Sequence, residues 1–227
     1  MHSLLLLNGG VGARVAAGRP KQLVHVNGIP ILVYALVAAD RCAAIEQIVL
    51  NYPDGWRDEI EKIVIDFSIA TPVSYVPAGR TRHESVARML PHCQADQVVI
   101  HESARPLVST ADFDRLIAHP AENVSYMLPI PFTVAPVDPQ TRRVTGALDR
   151  STLRNVQLPQ RFAKQSLVAA HRYAETAQRT FTEDATLCSV AGYPVEFIDG
   201  DDRNFKVTTP TDVALATHLL SREARSE

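Results

Sequence analysis

Short apolar runs recur along this chain, and between them lie longer stretches whose apolar positions return every three or four residues. The short runs predict β-strands at Leu4–Leu7, Ile45–Tyr52, Val73–Val76, Gln97–His101, Val124–Ile130 and Pro194–Ile198. The longer stretches predict helices near Ile31–Arg41, Arg57–Phe67, Thr81–His92, Ala111–Ala118, Arg161–Ala177, Asp184–Ala191 and Thr211–Arg222. Caps support several starts: Thr81 with Glu84 three residues on, Ser109, and Thr211 after Pro210. Strands alternating with helices predict an α/β, Rossmann-like fold built on a mostly parallel sheet. Near-continuous apolar strands such as QIVL and QVVI predict helices on both faces of it.

One segment breaks this rhythm. Pro131 to Arg150 carries three prolines and alternating β-type residues but no helical period. Two readings stand, a long surface loop and a β-arm projecting from the sheet for dimerisation.

Composition narrows the class. The chain has 227 residues, enough to bury a core without help, and no repeat or linker divides it. A net charge of −2 predicts neither a nucleic-acid surface nor a membrane surface, so any basic patch is local. Three widely spaced cysteines, Cys42, Cys93 and Cys188, fit reduced thiols. Leu4–Leu7 is too short for the apolar region of a signal peptide, and no apolar run approaches a membrane span. A cytoplasmic protein is expected.

The chemistry starts after the first strand, in NGGVGARVAAGRPKQ, residues 8–22. Four glycines, two arginines and a lysine crowd this loop, and no acid balances them. A Rossmann G-x-G-x-x-G would need glycine at Val15, and Gly18-Arg19-Pro20 does not close a P-loop. A glycine-rich turn with solvated cations is one reading. A phosphate cradle is the other, with Gly9, Gly10 and Gly12 offering backbone N–H groups, Arg14 clamping as a fork and Lys21 as a point charge. The position after a buried strand favours the cradle, because ligands of open α/β sheets bind at the carboxyl ends of strands. For the same reason Glu102, directly after QVVIH, is placed to hold a metal ion or a substrate hydroxyl. His83-Glu84 and His101-Glu102 lack the zinc-protease spacing, and no serine has an esterase setting.

Taken together, the motifs resemble the 2-C-methyl-D-erythritol 4-phosphate cytidylyltransferases and their ribitol-5-phosphate relatives. The likeness rests on Asn8 to Arg14 with Pro20-Lys-Gln22, on Gly79-Arg-Thr-Arg-His-Glu-Ser-Val86 and on His101-Glu-Ser-Ala-Arg-Pro106. It continues through Asp149-Arg150, Gln157-Leu-Pro-Gln160 with Phe162, Thr182-Glu-Asp184, and Asn204-Phe-Lys-Val-Thr-Thr-Pro210 with Asp212. It implies one nucleotidyltransferase domain over residues 1–227 that joins CMP from CTP to a small polyol phosphate and releases pyrophosphate, with Mg²⁺. It also implies a homodimer whose arms, at about 131–150, reach the partner's site.

By this resemblance Arg14, Lys21 and Lys206 are catalytic, and Asn8, Gly9, Gly10, Gly12, Gly79, Ser85 and Arg105 bind the nucleotide. Glu102, Thr133, Arg150 and Lys206 meet the acceptor, Thr133 and Arg150 from the partner's arm. Local readings stand beside these: Ser85 satisfying its own helix backbone, Arg105 paired with Glu102, Arg82 as a structural or solvated cation. The chain also departs from the family pattern, with Glu102 for Asp, Phe132 for Asp, Ala135 for Lys and Leu158 for Thr. Methylerythritol phosphate is the expected acceptor. Ribitol 5-phosphate, another polyol phosphate or phosphonate, and a non-catalytic CTP-binding homologue are the alternatives.

Overall fold

The computed structural model describes residues 1–10 and 18–223. The chain runs β1 (His2–Leu7), β2 (His25–Val26), β3 (Ile29–Pro30), α1 (Ile31–Asp40), β4 (Ile45–Tyr52), α2 (Arg57–Asp66), β5 (Val73–Pro77), α3 (Arg82–Met89) and β6 (Gln97–Glu102). It continues through α4 (Thr110–Ile117), β7 (Val124–Pro129), β8 (Val137–Asp138), β9 (Arg143–Val144), β10 (Arg154–Ala163), α5 (Lys164–Thr176), α6 (Asp184–Val190), β11 (Glu196–Asp199) and α7 (Pro210–Glu223). Seven strands form one sheet in the order β11-β7-β10-β6-β1-β4-β5. β10 runs antiparallel to both neighbours, and the remaining pairings are parallel.

The apolar runs are strands buried on both faces. Leu4 and Leu6 of β1 join Ile48, Leu50 and Val99 on one face, against α1, α2 and α4. Leu5 joins Val49, Val98 and Ile100 on the other, against α3, α5 and α6. Alternation along the strand is present, but both sides meet helices, so both read as apolar. Each such side chain contributes about 1.5–3 kcal/mol of burial. α7 packs Ala216 and Leu220 on Val26 and Ile31, closing the carboxyl end over the β2–β3 turn. Among the described residues no helix is long and apolar enough to cross a membrane.

The start of one helix and the cap of another differ from expectation. The predicted helix from Arg161 begins at Lys164, because Arg161–Ala163 belong to β10, a ten-residue strand that the apolar pattern does not signal. Gln157, Gln160 and Arg161 are buried in it, so no apolar run marks it. Each has a polar partner: Gln157 Nε2 donates to the Asp201 carbonyl at 2.8 Å, and Gln160 Nε2 to Ser125 Oγ at 3.0 Å. The last helix, Pro210–Glu223, agrees with the expected span to within a residue at each end, but its cap is Thr209 rather than Thr211. Thr209 Oγ1 accepts from the Asp212 N–H at 3.3 Å, and the Asp212 carboxylate accepts from the Thr208 and Thr209 N–H groups.

The segment after β7 is a hairpin. Val137 pairs with Val144 and Asp138 with Arg143, in a two-stranded sheet separate from the main one. The Asp138 carboxylate accepts from the Gln140 N–H and Thr141 Oγ1, and Arg142 turns the chain at φ +55. Phe132, Val137, Val144 and Leu148 stand exposed on it.

Arg161 holds a turn that packing alone leaves open. Its guanidinium donates to the carbonyls of Ile117 at 2.6 Å, His119 at 2.9 Å and Ala121, capping the end of α4. Arg161→Met keeps most of the volume and orphans three carbonyls, so unfolding free energy should fall by about 2–4 kcal/mol. Urea denaturation checks this; a loss below about 1 kcal/mol would mean that water satisfies the turn.

Candidate active site

The parallel strands end at a cleft of about 470 Å³. Its walls come from the residues after β1 and β5, the end of β6, and the segment before α7. Of the residues singled out in the sequence, Gly9, Gly10, Lys21, Gly79, Ser85, Glu102 and Lys206 line it. Asn8 and Arg105 do not; they lie behind the lining. Thr133 and Arg150 are exposed on the hairpin and do not line this chain's cleft. Arg150 Nη1 donates to the Pro131 carbonyl at 2.9 Å. Gly12 and Arg14 lie outside the described residues.

The base of the glycine loop is pinned from three sides. The Asn8 N–H donates to Asn51 Oδ1 at the end of β4, and Asn8 Oδ1 accepts from Ser103 Oγ at 2.6 Å. Gln22 Nε2 reaches back to the carbonyls of Asn8 and of Gly10, the latter at 2.8 Å. Gln22 and Asn51 also line the cleft, and both were missed as site residues. The signal was present: a polar residue ends the apolar run of β4, and the glutamine follows the loop lysine. The first two loop glycines differ in purpose. A methyl group on Gly9 would collide with Ala78, whereas one on Gly10 would meet nothing within 4 Å. Packing demands glycine at 9; at 10 the bare backbone faces open cleft.

The second glycine segment is a turn built by its own helix. Ser85 Oγ accepts from the Gly79 N–H at 3.0 Å and donates to the Thr81 carbonyl at 2.9 Å. Thr81 caps α3 by accepting from the Glu84 N–H, and Glu84 accepts from the Arg80 N–H at 2.8 Å. A methyl group on Gly79 would lie 2.7 Å from Glu84 Cβ, so the turn closes only with glycine. Ser85 therefore satisfies backbone while also standing at the cleft wall.

Charge gathers on one carboxylate. Glu102 Oε1 accepts from Lys206 Nζ at 2.8 Å and lies 3.7 Å from Arg82 Nε, and Oε2 accepts from Arg105 Nε at 3.3 Å. Burial alone would raise its pKa. Lys206 and Arg105 outweigh burial and hold it down at about 2. Arg105 Nη1 donates to the Asn204 carbonyl at 2.7 Å. Lys21 Nζ donates to the Val207 carbonyl at 2.7 Å, so both lysines meet the same carboxyl-terminal segment. His101 is fully buried, edge-on to Phe113, and burial pushes its pKa down to about 3, which leaves it neutral. Leu158, the apolar departure from Thr, lies in the core with Leu5 and Ile100 and does not line the cleft.

Residues 3–222 match the family model of 2-C-methyl-D-erythritol 4-phosphate cytidylyltransferase (IspD). The chain belongs to that family. A relative of this name from Synechococcus sp. is 38% identical over 227 residues, covering 98% of this chain and 97% of its own. One from Gloeobacter violaceus is 34% identical over 232 residues, covering 100% and 99%. Among solved structures, the 2-C-methyl-D-erythritol 4-phosphate cytidylyltransferase of Thermus thermophilus matches with a TM-score of 0.76 at 28% identity, covering 96% of this chain and 98% of that one. The 4-diphosphocytidyl-2C-methyl-D-erythritol synthase of Anaerococcus prevotii matches in fold, with a TM-score of 0.84 at 24% identity, covering 97% and 96%. The matched residues thus include both glycine segments and all of the sheet except His2.

The Glu102 network makes a pH prediction. Its folded pKa lies at about 2, below the ordinary 4.5. The stabilisation, about 3 kcal/mol, is therefore complete above pH 4.5 and is lost as pH falls towards 2. Glu102→Gln should be less stable at pH 7 by about 3 kcal/mol, with the gap to the native chain narrowing between pH 4.5 and 2. Denaturant melts across that range measure it, and a constant gap would refute it.

Proposed function

We propose that this chain transfers CMP from CTP to 2-C-methyl-D-erythritol 4-phosphate and releases pyrophosphate, a step of isoprenoid precursor synthesis. The observation that carries this is the cleft itself: bare glycine backbone, Lys21, Lys206 and Arg82 surround a single acid at the carboxyl ends of the strands. The relatives reported above bear the methylerythritol name, and nothing in the cleft favours ribitol phosphate or a retired catalyst.

The chemistry asks for alignment and neutralisation of charge. An oxygen of the acceptor phosphate attacks the α-phosphorus of CTP. The new P–O bond forms as the α–β bridging bond breaks, and the electron pair leaves with pyrophosphate. The attacking oxygen is already anionic, so no side chain has to remove a proton. Lys21, steered by the Val207 carbonyl, is assigned to the reacting phosphates together with Arg14. Gly9, Gly10 and Gly12 offer backbone donors, with Asn8 fixing the strand end that presents them. Gly79 and Ser85 face the cytosine and ribose. Lys206 receives the acceptor phosphate beside Glu102, which meets an acceptor hydroxyl, and Arg105 supports that carboxylate from behind.

A divalent cation, Mg²⁺ by expectation, adds Lewis-acid neutralisation of the phosphates when it accompanies the nucleotide. The described residues do not fit a metal held by protein. No group of three or more His, Cys, Asp or Glu side chains converges among them, and both Glu102 oxygens already face cations. Such an ion would be held mainly by phosphate oxygens and water, with at most one carboxylate, Glu102, beside it.

The hairpin is the second part of the proposal. Residues 1–227 form one nucleotidyltransferase domain, and the hairpin at about 131–150 pairs two copies, delivering Thr133 and Arg150 to the partner's cleft. Exposed Phe132, Val137, Val144 and Leu148 support this, since an isolated two-stranded ribbon is marginal alone. The three cysteines are free and buried, which suits the reducing cytoplasm.

Pyrophosphate release with CTP, Mg²⁺ and methylerythritol 4-phosphate tests the reaction. Lys21→Ala should lower kcat by roughly 10²–10³, about 3–4 kcal/mol; a native chain silent with this acceptor but active with ribitol 5-phosphate would overturn the acceptor assignment. Light scattering tests the arm. A dimer is expected at micromolar concentration, reduced to monomer by Val137→Asp with Val144→Asp, and a native monomer would sink the shared site.

A further inference from the structure

The charges at Glu102 do not stop at the cleft wall. Arg82, the first residue of α3, places its Nη1 2.5 Å from Asp184 Oδ2 at the start of α6. Asp184 is 1% exposed and does not line the cleft, and its other oxygen lies 3.5 Å from His171 Nε2. Arg82 does line the cleft, and its Nε lies 3.7 Å from Glu102 Oε1. That is the same oxygen that accepts from Lys206. Two cations therefore compete for one carboxylate oxygen, and the nearer one is Lys206.

We propose that Asp184 is a positioning residue for the acceptor half of the cleft, holding Arg82 back from Glu102 so that Glu102 Oε1 remains with Lys206. This rests on the reading of Lys206 and Glu102 as the acceptor's partners. A guanidinium forks readily onto a carboxylate, and two buried ions attract far more strongly than ions in water. With Asp184 neutralised, two carboxylates still attract Arg82, and Glu183 is held by Gln160 and by the Ala185 and Thr186 N–H groups, which leaves Glu102 as the one free to receive it. The guanidinium closes on Oε1, Lys206 is displaced, and the oxygens meant for the substrate hydroxyl are covered. Asp184 thus acts on the reaction without touching a substrate.

A bond that merely ties α3 to α6 would, when lost, lower stability and affect both substrates alike. The test separates the two roles through steady-state pyrophosphate release, varying CTP and methylerythritol 4-phosphate in turn. Asp184→Asn should raise KM for the acceptor about tenfold and change KM for CTP less than twofold. The same substitution made in a Glu102→Gln background should change the acceptor KM less than twofold, since residues acting through one contact are non-additive. Equal rises in both KM values, or an undiminished effect in the Glu102→Gln background, would overturn the proposal. If the Asp184→Asn protein does not fold, Arg82→Lys carries the test: one ammonium cannot span both carboxylates, and on the nearer Asp184 it leaves Glu102 Oε1 to Lys206. The acceptor KM should then change less than twofold, and a tenfold rise would overturn the proposal. Turnover by the native chain tests the underlying reading separately. If the native chain is silent, a crystal structure of the Asp184→Asn chain decides: Arg82 on Glu102 with Lys206 displaced supports the proposal, and unmoved side chains refute it.

Discussion

Three cations converge on the buried carboxylate of Glu102, where the strand next to β1 ends, and the cleft takes its shape from that convergence. Lys206 comes from the segment before the last helix, Arg105 from the loop after β6, and Arg82 from the first turn of α3. Each alone would be a costly ion in a half-buried place, and together with one acid they fix three separate stretches of chain. Three cations on one acid leave an excess of positive charge at the cleft.

The sheet makes this convergence possible. Because β1, β4, β5 and β6 are parallel, their carboxyl ends lie on one edge, and the residues that follow them meet there although far apart in sequence. Hydrogen bonds then set the edge in place. Gln22 ties the glycine loop to its own strand, Asn51 and Ser103 tie that strand end to its neighbours, and Ser85 closes the Gly79 turn. These polar contacts are directional, whereas the apolar packing beneath them is not.

The departures from the family pattern sort themselves by place. Leu158 sits in the core, so the exchange from a polar residue is a packing matter. Phe132 is exposed on the segment that carries the hairpin, outside the cleft. Of the three, Glu102 alone lines the cleft, with its carboxylate among Arg82, Arg105 and Lys206.

Much was legible without coordinates. Apolar runs marked the strands buried on both faces, glycines marked the places where backbone must be bare, and ordered motifs marked the family, because each is a local requirement written in neighbouring residues. β10 was not legible: its buried glutamines and arginine find their partners on other strands and loops, so no hydrophobic period announces it. Nor was the reach of Arg82, which the sequence alone left as a structural or solvated cation. Its partners lie 20 and 102 positions away, and only the folded sheet decides that Glu102 and Asp184 stand on either side of it. Chemistry at single residues is inherited from sequence; which charges compete for which oxygen is a matter of distance, and distance belongs to the tertiary structure.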